Sequence, residues 1–383
     1  MNALNKARYA AIASAVAFAI VGVAVLLRSH AATPFLNVES EAGTLASGAT
    51  AISDTTASGG GAVAFKAATS VTTCVGNRDE PGGSDPWGGC WPGPQNTGYP
   101  HGLPGDTRTP VTLRTLKAGD SGPGWNVATI GGNPVLYITQ AGTVVDSVDV
   151  PFYVKVMANN VTIKRSRITN GGYYSMFIGD LPTTYSGLTL EDVELDGKSD
   201  TTNFVIAINS SENATYRRIN VHNMASSGPR LSTNTLMEDS WIHDFAHGQD
   251  GHEAGLSSNG SEPGIILRHN NISINTEGAS SAIAFYRDFG TPSNELVERN
   301  LLNGGNYCTM AGIAATDGSY PPTNNIRYIN NVFGRSFYAE CGRYAVQAQF
   351  SSTNGTGNVW SGNTWGAGAA ATSAHKVGDP AGP

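Results

Sequence analysis

The amino-acid sequence predicts an all-β solenoid, and three observations carry that expectation. A short strand-like pattern recurs through the C-terminal two thirds of the chain. Glycine is abundant (47 residues) while only 14% of the 383 residues are charged, a composition of turn-rich β structure and not of helical bundles. Val, Ile, Leu and aromatic residues are frequent enough to build a core, so the chain folds.

The N-terminus comes first. Lys6 and Arg8 precede an apolar run from Tyr9 to Leu27, followed by the small-x-small triplet Ser29-His30-Ala31. Residues 1–32 are therefore expected to be a hydrophobic helix, either a cleaved signal peptide or a membrane anchor. The run nears the ~20 residues that cross a bilayer. Either way the body lies outside the cytoplasm, secreted or at the cell surface, and the membrane is met only through this segment. Four cysteines suit that compartment. Three pairings are open. Cys74 and Cys90 flank the Gly/Pro-rich TCVGNRDEPGGSDPWGGC, which reads as a stapled loop within a linker spanning 69–105, and this leaves Cys308 to Cys341.

From residue 145 the pattern runs VDSVDV, IKRSRI, LEDVEL, YRRINV, MEDSWI, LRHNNI, VERNLL, YINNVF and WSGNTW. It begins at Val145, Ile163, Leu190, Tyr216, Met237, Leu267, Val297, Tyr328 and Trp360, at intervals of 18 to 32 residues. Such spacing marks stacked strands that bury their apolar side only against one another. Positions one, four and six should face inward, which requires a bend at positions two and three. The fourth position is Asn270, Asn300, Asn331 and Asn363 in the last four repeats, expected as a buried amide ladder. Positions two and three alternate in sign (Lys164, Glu191, Arg217, Glu238; Arg165, Asp192, Arg218, Asp239), expected as cross-strand charge pairs of the scaffold. The solenoid is expected over 106–366, with a flexible tail over 367–383. Cys308 and Cys341 fall at similar places in adjacent coils.

These repeats resemble right-handed parallel β-helix proteins of the pectate-lyase-like superfamily. NTGYPHGLPGDTRTPVTL (96–113) and NNVTIKRSRI look like a secreted bacterial subgroup of it. The resemblance implies a right-handed parallel β-helix of about nine rungs. Upstream, VESEAGTLASGATAISDTTASGGGAVAF lies within a β-rich segment, 33–68, that resembles the opening of a family-six-type carbohydrate-binding sandwich. In that family the early glutamates, here Glu39 and Glu41, help hold calcium.

The stretch HDFAHGQDGHEAG, 243–255, stands apart: it holds three of the eight histidines and three acids. It is expected in the turn between MEDSWI and a second strand, GLSS, on the side where solenoids collect binding sites. The candidate catalytic residues are His252, Glu253, Asp250 and His247, joined by Arg287 from the next coil in one groove. Where members of the subgroup show H-N-D-G-I-Q, this chain has His252-Glu253-Ala254-Gly255-Leu256-Ser257: His252 and Gly255 match, the acid has moved to Glu253 or been lost at Ala254, and Ser257 replaces the amide. Candidate substrate-binding residues are His222, His243, Asp244, Tyr286 and Asp288, with Asp196, His222 and His243 forming one column. A histidine base and an arginine suit a lyase on a uronic-acid polymer. Paired carboxylates from Asp244, Asp250 and Glu253 suit a hydrolase. Asp250 and Glu253 offer oxygens to calcium, and His243, His247 and His252 offer nitrogens to zinc.

The expected function is therefore an extracellular carbohydrate-active protein, a polysaccharide lyase before a glycoside hydrolase. The alternative is a non-catalytic glycan-binding or adhesion surface. The partner is a polysaccharide or cell-surface glycan, met by a monomer. The charge of −7 and pI near 5.6 argue against nucleic acid.

Overall fold

The computed structural model describes residues 73–179, 184–202, 205–209, 211–247, 253–312 and 320–383, together with the strands Ala49–Ser53 and Gly61–Phe65. The hydrophobic N-terminal segment, Glu39, Glu41, Asp250 and His252 lie outside the described residues. Among those described there is no helix, so none is long and apolar enough to cross a membrane. The chain divides into two compact units, Met1–Val71 and Thr72–Pro383. In the first, Ala49–Ser53 and Gly61–Phe65 pair antiparallel.

The larger unit is all-β, with parallel strands in two large sheets, an arrangement consistent with a β-solenoid. We number the nine sequence repeats one to nine from Val145. In the first sheet Val145, Ile163, Leu190, Tyr216, Met237, Leu267, Val297, Tyr328 and Trp360 are register partners from one repeat to the next. The second sheet has eleven strands. It takes the strands that follow the repeats, among them Tyr174–Ile178, Ala254–Ser258 and Ser281–Phe285. One antiparallel hairpin, Trp125–Ile130 with Asn133–Ile138, lies near its edge. Inward side chains of both sheets meet in a single large apolar core that includes Ile163, Leu190, Tyr216, Met237 and Leu267.

The bend inside each repeat has a specific backbone cause. Position three adopts the left-handed conformation in every repeat, with φ of 45° at Arg165, 55° at Asp192, 51° at Arg218, 53° at Asp239 and 50° at His269. An L-residue pays roughly 1–2 kcal/mol for this, and it turns positions two and three outward together. Their charges pair as the alternation predicts. Arg165 meets Asp146, Arg218 Nε donates to Asp192 at 2.8 Å, and Arg217 Nε donates to Glu238 at 2.7 Å.

The amide ladder answers the same bend from inside. A left-handed residue breaks the strand ladder, so the next backbone N–H needs another acceptor. It finds the position-four side chain of the following repeat: Ser240 N donates to Asn270 Oδ1 (3.0 Å), Asn270 N to Asn300 Oδ1 (2.9 Å), Asn300 N to Asn331 Oδ1 (3.0 Å) and Asn331 N to Asn363 Oδ1 (2.8 Å). The amide nitrogens return the bond, Asn300 Nδ2 to Leu267 O and Asn331 Nδ2 to Val297 O. Asn270, Asn300 and Asn331 have no exposed surface, yet their polar groups are satisfied.

Both disulfides form, Cys74–Cys90 and Cys308–Cys341, each with Cα atoms 5.5 Å apart. They fit an oxidising compartment. Two segments differ from expectation. Residues 73–105, expected as a linker, lie along the outside of the first sheet. There Trp91 is fully buried against Leu301 and Val332 and stacks on His269 at 5.4 Å. Residues 367–383, expected as a flexible tail, fold back: Trp365 N donates to Asp379 O, and Ala381 N donates to Asn363 O. Both corrections have one reason. The last repeats present apolar surface and unpaired strand groups, and these segments cover them.

Candidate active site

The second half of each repeat strand alternates regularly, so positions five and seven face outward. Register places Arg167, Glu194, Asn220 and Trp241 in one column and Thr169, Asp196, His222 and His243 in the next. The expected column of Asp196, His222 and His243 is present.

The covering segment completes this face. Gly98 N donates to Arg218 O at 2.8 Å. Gly98 has φ of +65°, and a Cβ there would sit 3.1 Å from that of Asn220, so glycine alone permits this approach without strain. Arg108 fixes the crossing, with Nη1 donating to Gly98 O (2.7 Å) and to Asp192 (2.8 Å). The chain then sets Tyr99 and His101, ring centroids 3.8 Å apart, beside Glu194.

Glu194 is the centre of the cluster. Its Oε1 lies 3.3 Å from His222 Nε2 and its Oε2 lies 3.2 Å from His101 Nε2. Burial opposes its ionisation, but the bonds from His101 and His222 outweigh it and hold the carboxyl at about 2. His222 Nδ1 sits 2.8 Å from Asn223 Nδ2, which can only donate, so the proton of neutral His222 is on Nε2, directed at Glu194. Neither His222 nitrogen is then available. His101 differs: with Nε2 turned to Glu194, no described residue hydrogen-bonds its Nδ1.

His243 closes the other side. Its ring stacks on Trp241 (3.4 Å) and on His222 (5.3 Å), its Nδ1 lies 2.7 Å from Asp244 and its Nε2 2.9 Å from Asn220. Burial pulls its pKa below the usual value despite Asp244. Arg167 donates to Asp149 at 2.9 Å, and its guanidinium lies 5.9 Å from the Tyr99 ring centre. Burial raises the Tyr99 phenol and keeps it protonated at neutral pH.

The remaining sequence candidates lie elsewhere. Glu253 is fully buried at the entrance to Ala254–Ser258, with exposed His247 3.3 Å away. Tyr286, Arg287 and Asp288 follow Ser281–Phe285. Because Ala254 pairs with Ser281 and Ser258 with Phe285, Glu253 is level with Ser280, whereas Arg287 is at the far end of the sheet. At ~3.3 Å per residue they are separated by roughly 20 Å. Glu253 and Arg287 are therefore not brought together, since residues in successive repeats meet only when they share register, while Asp250 and His252 of the expected groove lie outside the described residues. Arg287 is buried instead, 5.8 Å from the ring of Tyr320. His243 and His247 likewise have different partners. Among the described residues no group of three His, Cys, Asp or Glu side chains is arranged to hold a metal ion.

Thus His222, His243 and Asp244 are brought together, while His247 and Glu253 form a separate pair. Sequence reasoning missed Glu194, His101, Asn220, Trp241, Arg167 and Tyr99. The fifth position carried a signal: it should be an idle outward polar site, yet it changes residue type in every repeat from Arg167 to Trp241. No protein-family model, curated protein or solved structure matches this chain.

Proposed function

We propose that the chain is an extracellular carbohydrate-active enzyme on a right-handed parallel β-helix of about nine rungs, resembling the pectate-lyase-like kind. Right-handedness follows from the near-universal hand of parallel crossover connections. The site is the outer face around Glu194, in place of the 243–255 turn, and the reaction is β-elimination on a uronate-containing polysaccharide.

One observation carries this reading: His101 Nε2 lies 3.2 Å from Oε2 of an ionised Glu194, and its Nδ1 is left as an acceptor at the surface of a cluster of aromatic, histidine and arginine side chains. A neutral imidazole held this way is a competent base near pH 7. His101 Nδ1 takes the proton from the carbon next to the sugar carboxylate. The C–H electrons form the new carbon–carbon double bond, and the bond to the glycosidic oxygen breaks. Tyr99, kept protonated by burial, gives its proton to that oxygen. Arg167 offsets the carboxylate charge that grows in the transition state.

The test is incubation with a panel of uronate-containing polysaccharides, reading ultraviolet absorbance of unsaturated products and reducing ends separately. Both signals should rise together, and His101→Ala should lower them by about 10²–10⁴-fold. Reducing ends without unsaturated product would replace elimination with hydrolysis. Undiminished turnover in His101→Ala would remove His101 as the base.

A further inference from the structure

A cleft of about 450 Å³ opens where the first two repeats turn from the first sheet to the second, lined by Pro134, Phe152, Tyr153, Asn170, Tyr173 and Tyr174 among others. The Tyr173 and Tyr174 rings meet edge to face with centroids 4.6 Å apart, and Tyr173 is 53% exposed although it is a large ring. Asn170 Nδ2 donates to Tyr174 O, which ties the mouth of the cleft to its aromatic wall. Among the described residues, no charged one lines it. Burial pushes the Tyr153 phenol up to about 12, so that wall stays neutral at physiological pH.

The position of the cleft relates it to the candidate active site. Thr169 is the register partner of Asp196, and Asp196 of His222. Val150 pairs with Ile168, so Pro151 extends this column by one repeat, and Pro151 and Asn170 both line the cleft. The cleft therefore stands in line with His222, two to three strand spacings away, or about 10–15 Å.

We propose that this cleft is a remote subsite that grips an uncharged stretch of the same glycan chain on which the Glu194 cluster acts. The inference rests on the reading of that cluster as the reacting centre and adds a substrate class: a heteropolysaccharide with neutral sugars a few units from the reacting uronate. Aromatic faces offer apolar contact to the C–H faces of sugar rings, while tyrosine hydroxyls and the Asn133 and Asn170 amides suit sugar hydroxyls. A uronate would meet no cation in the lining itself, since Arg230 acts on the Tyr174 phenol from outside it, and a partly desolvated cleft disfavours a charge so placed.

The test is native affinity electrophoresis of the intact chain through gels holding xylan, glucomannan, galactan or polygalacturonate. At least one neutral polymer should retard the wild type. His101→Ala should be retarded equally, because binding there does not need the base. Tyr173→Ala, at a half-exposed position that leaves the core intact, should weaken retardation about tenfold. Turnover of the shortest cleaved oligosaccharide should stay unchanged in Tyr173→Ala. No retardation by any neutral polymer, or retardation that Tyr173→Ala leaves intact, overturns the subsite even if the lyase reaction stands. Loss of short-substrate turnover in a folded Tyr173→Ala would make the cleft part of the reacting centre and overturn its remote role. Conversely, neutral-polymer binding that depends on Tyr173 without any turnover would keep the cleft and sink the elimination.

Discussion

Two polar columns run along the first sheet, one inside and one outside, and stacking builds both. Inside, Asn270, Asn300, Asn331 and Asn363 repeat one residue, and each amide bonds to the next repeat in the same way. Outside, Arg167, Glu194, Asn220 and Trp241 share a register but no chemistry. Their partners come from the neighbouring column, from Asp149 one repeat earlier in the same column, and from a distant segment carrying His101. The inner column repeats because each bend creates the same orphan N–H. The outer column faces no such demand, so its residues are there for what they contact. In a stacked fold, repetition marks scaffold, and a register position that stops repeating marks a site.

That comparison breaks first at Asn300. Asn300→Leu removes the acceptor from the buried N–H of Asn270 and the donor to Leu267 O, each costing about 1–3 kcal/mol when stranded. A loss of about 3 kcal/mol or more in urea unfolding is expected. An unchanged midpoint would mean the inner column is no more necessary than the outer.

Glu194→Gln should cost less, about 1–3 kcal/mol at pH 7, and its signature is in pH. The folded pKa of about 2 lies below the usual carboxylate value, so this stability is present above ~4.3 and is lost as pH falls towards 2. The difference between wild type and Glu194→Gln should therefore shrink as pH falls from 5 to 2 in thermal melts. A gap that stays constant over that range would show that Glu194 is not held ionised by its histidines.

The smallest effect belongs to the corner charges. Arg165, with 43% of its side chain exposed, pairs with Asp146 in a solvent-screened place. Arg165→Ala should cost under about 1 kcal/mol, and less still in high salt. A larger, salt-insensitive loss would mean that the corner ladder contributes as much as the core ladder.

The scaffold was legible because its rules are local and repeated. Apolar first and sixth positions fixed the register of Val145 through Trp360, and the paired apolar positions required the bend that the left-handed third residues supply. The disulfide between Cys308 and Cys341 followed from the same register. The site was less legible because alternation says that Glu194 faces out without saying what reaches it. His101 arrives on a strap whose path depends on Gly98, Arg108 and Trp91 all docking on repeats far along the chain. The concentration of histidines in 243–255 drew attention to Glu253 and Arg287. Those two bracket opposite ends of the second sheet, a fact of strand length and register that composition does not carry.

The relation between Glu194 and His101 can be measured without knowing the substrate. Long-range ¹⁵N–¹H NMR of the histidine rings reports which nitrogen of neutral His101 carries the proton. The geometry predicts a proton on Nε2, facing Glu194, and an unprotonated Nδ1, with this preference weakened in Glu194→Gln. A His101 protonated at Nδ1 in the wild type, or a tautomer indifferent to Glu194→Gln, would contradict the claim that Glu194 prepares His101 as a base.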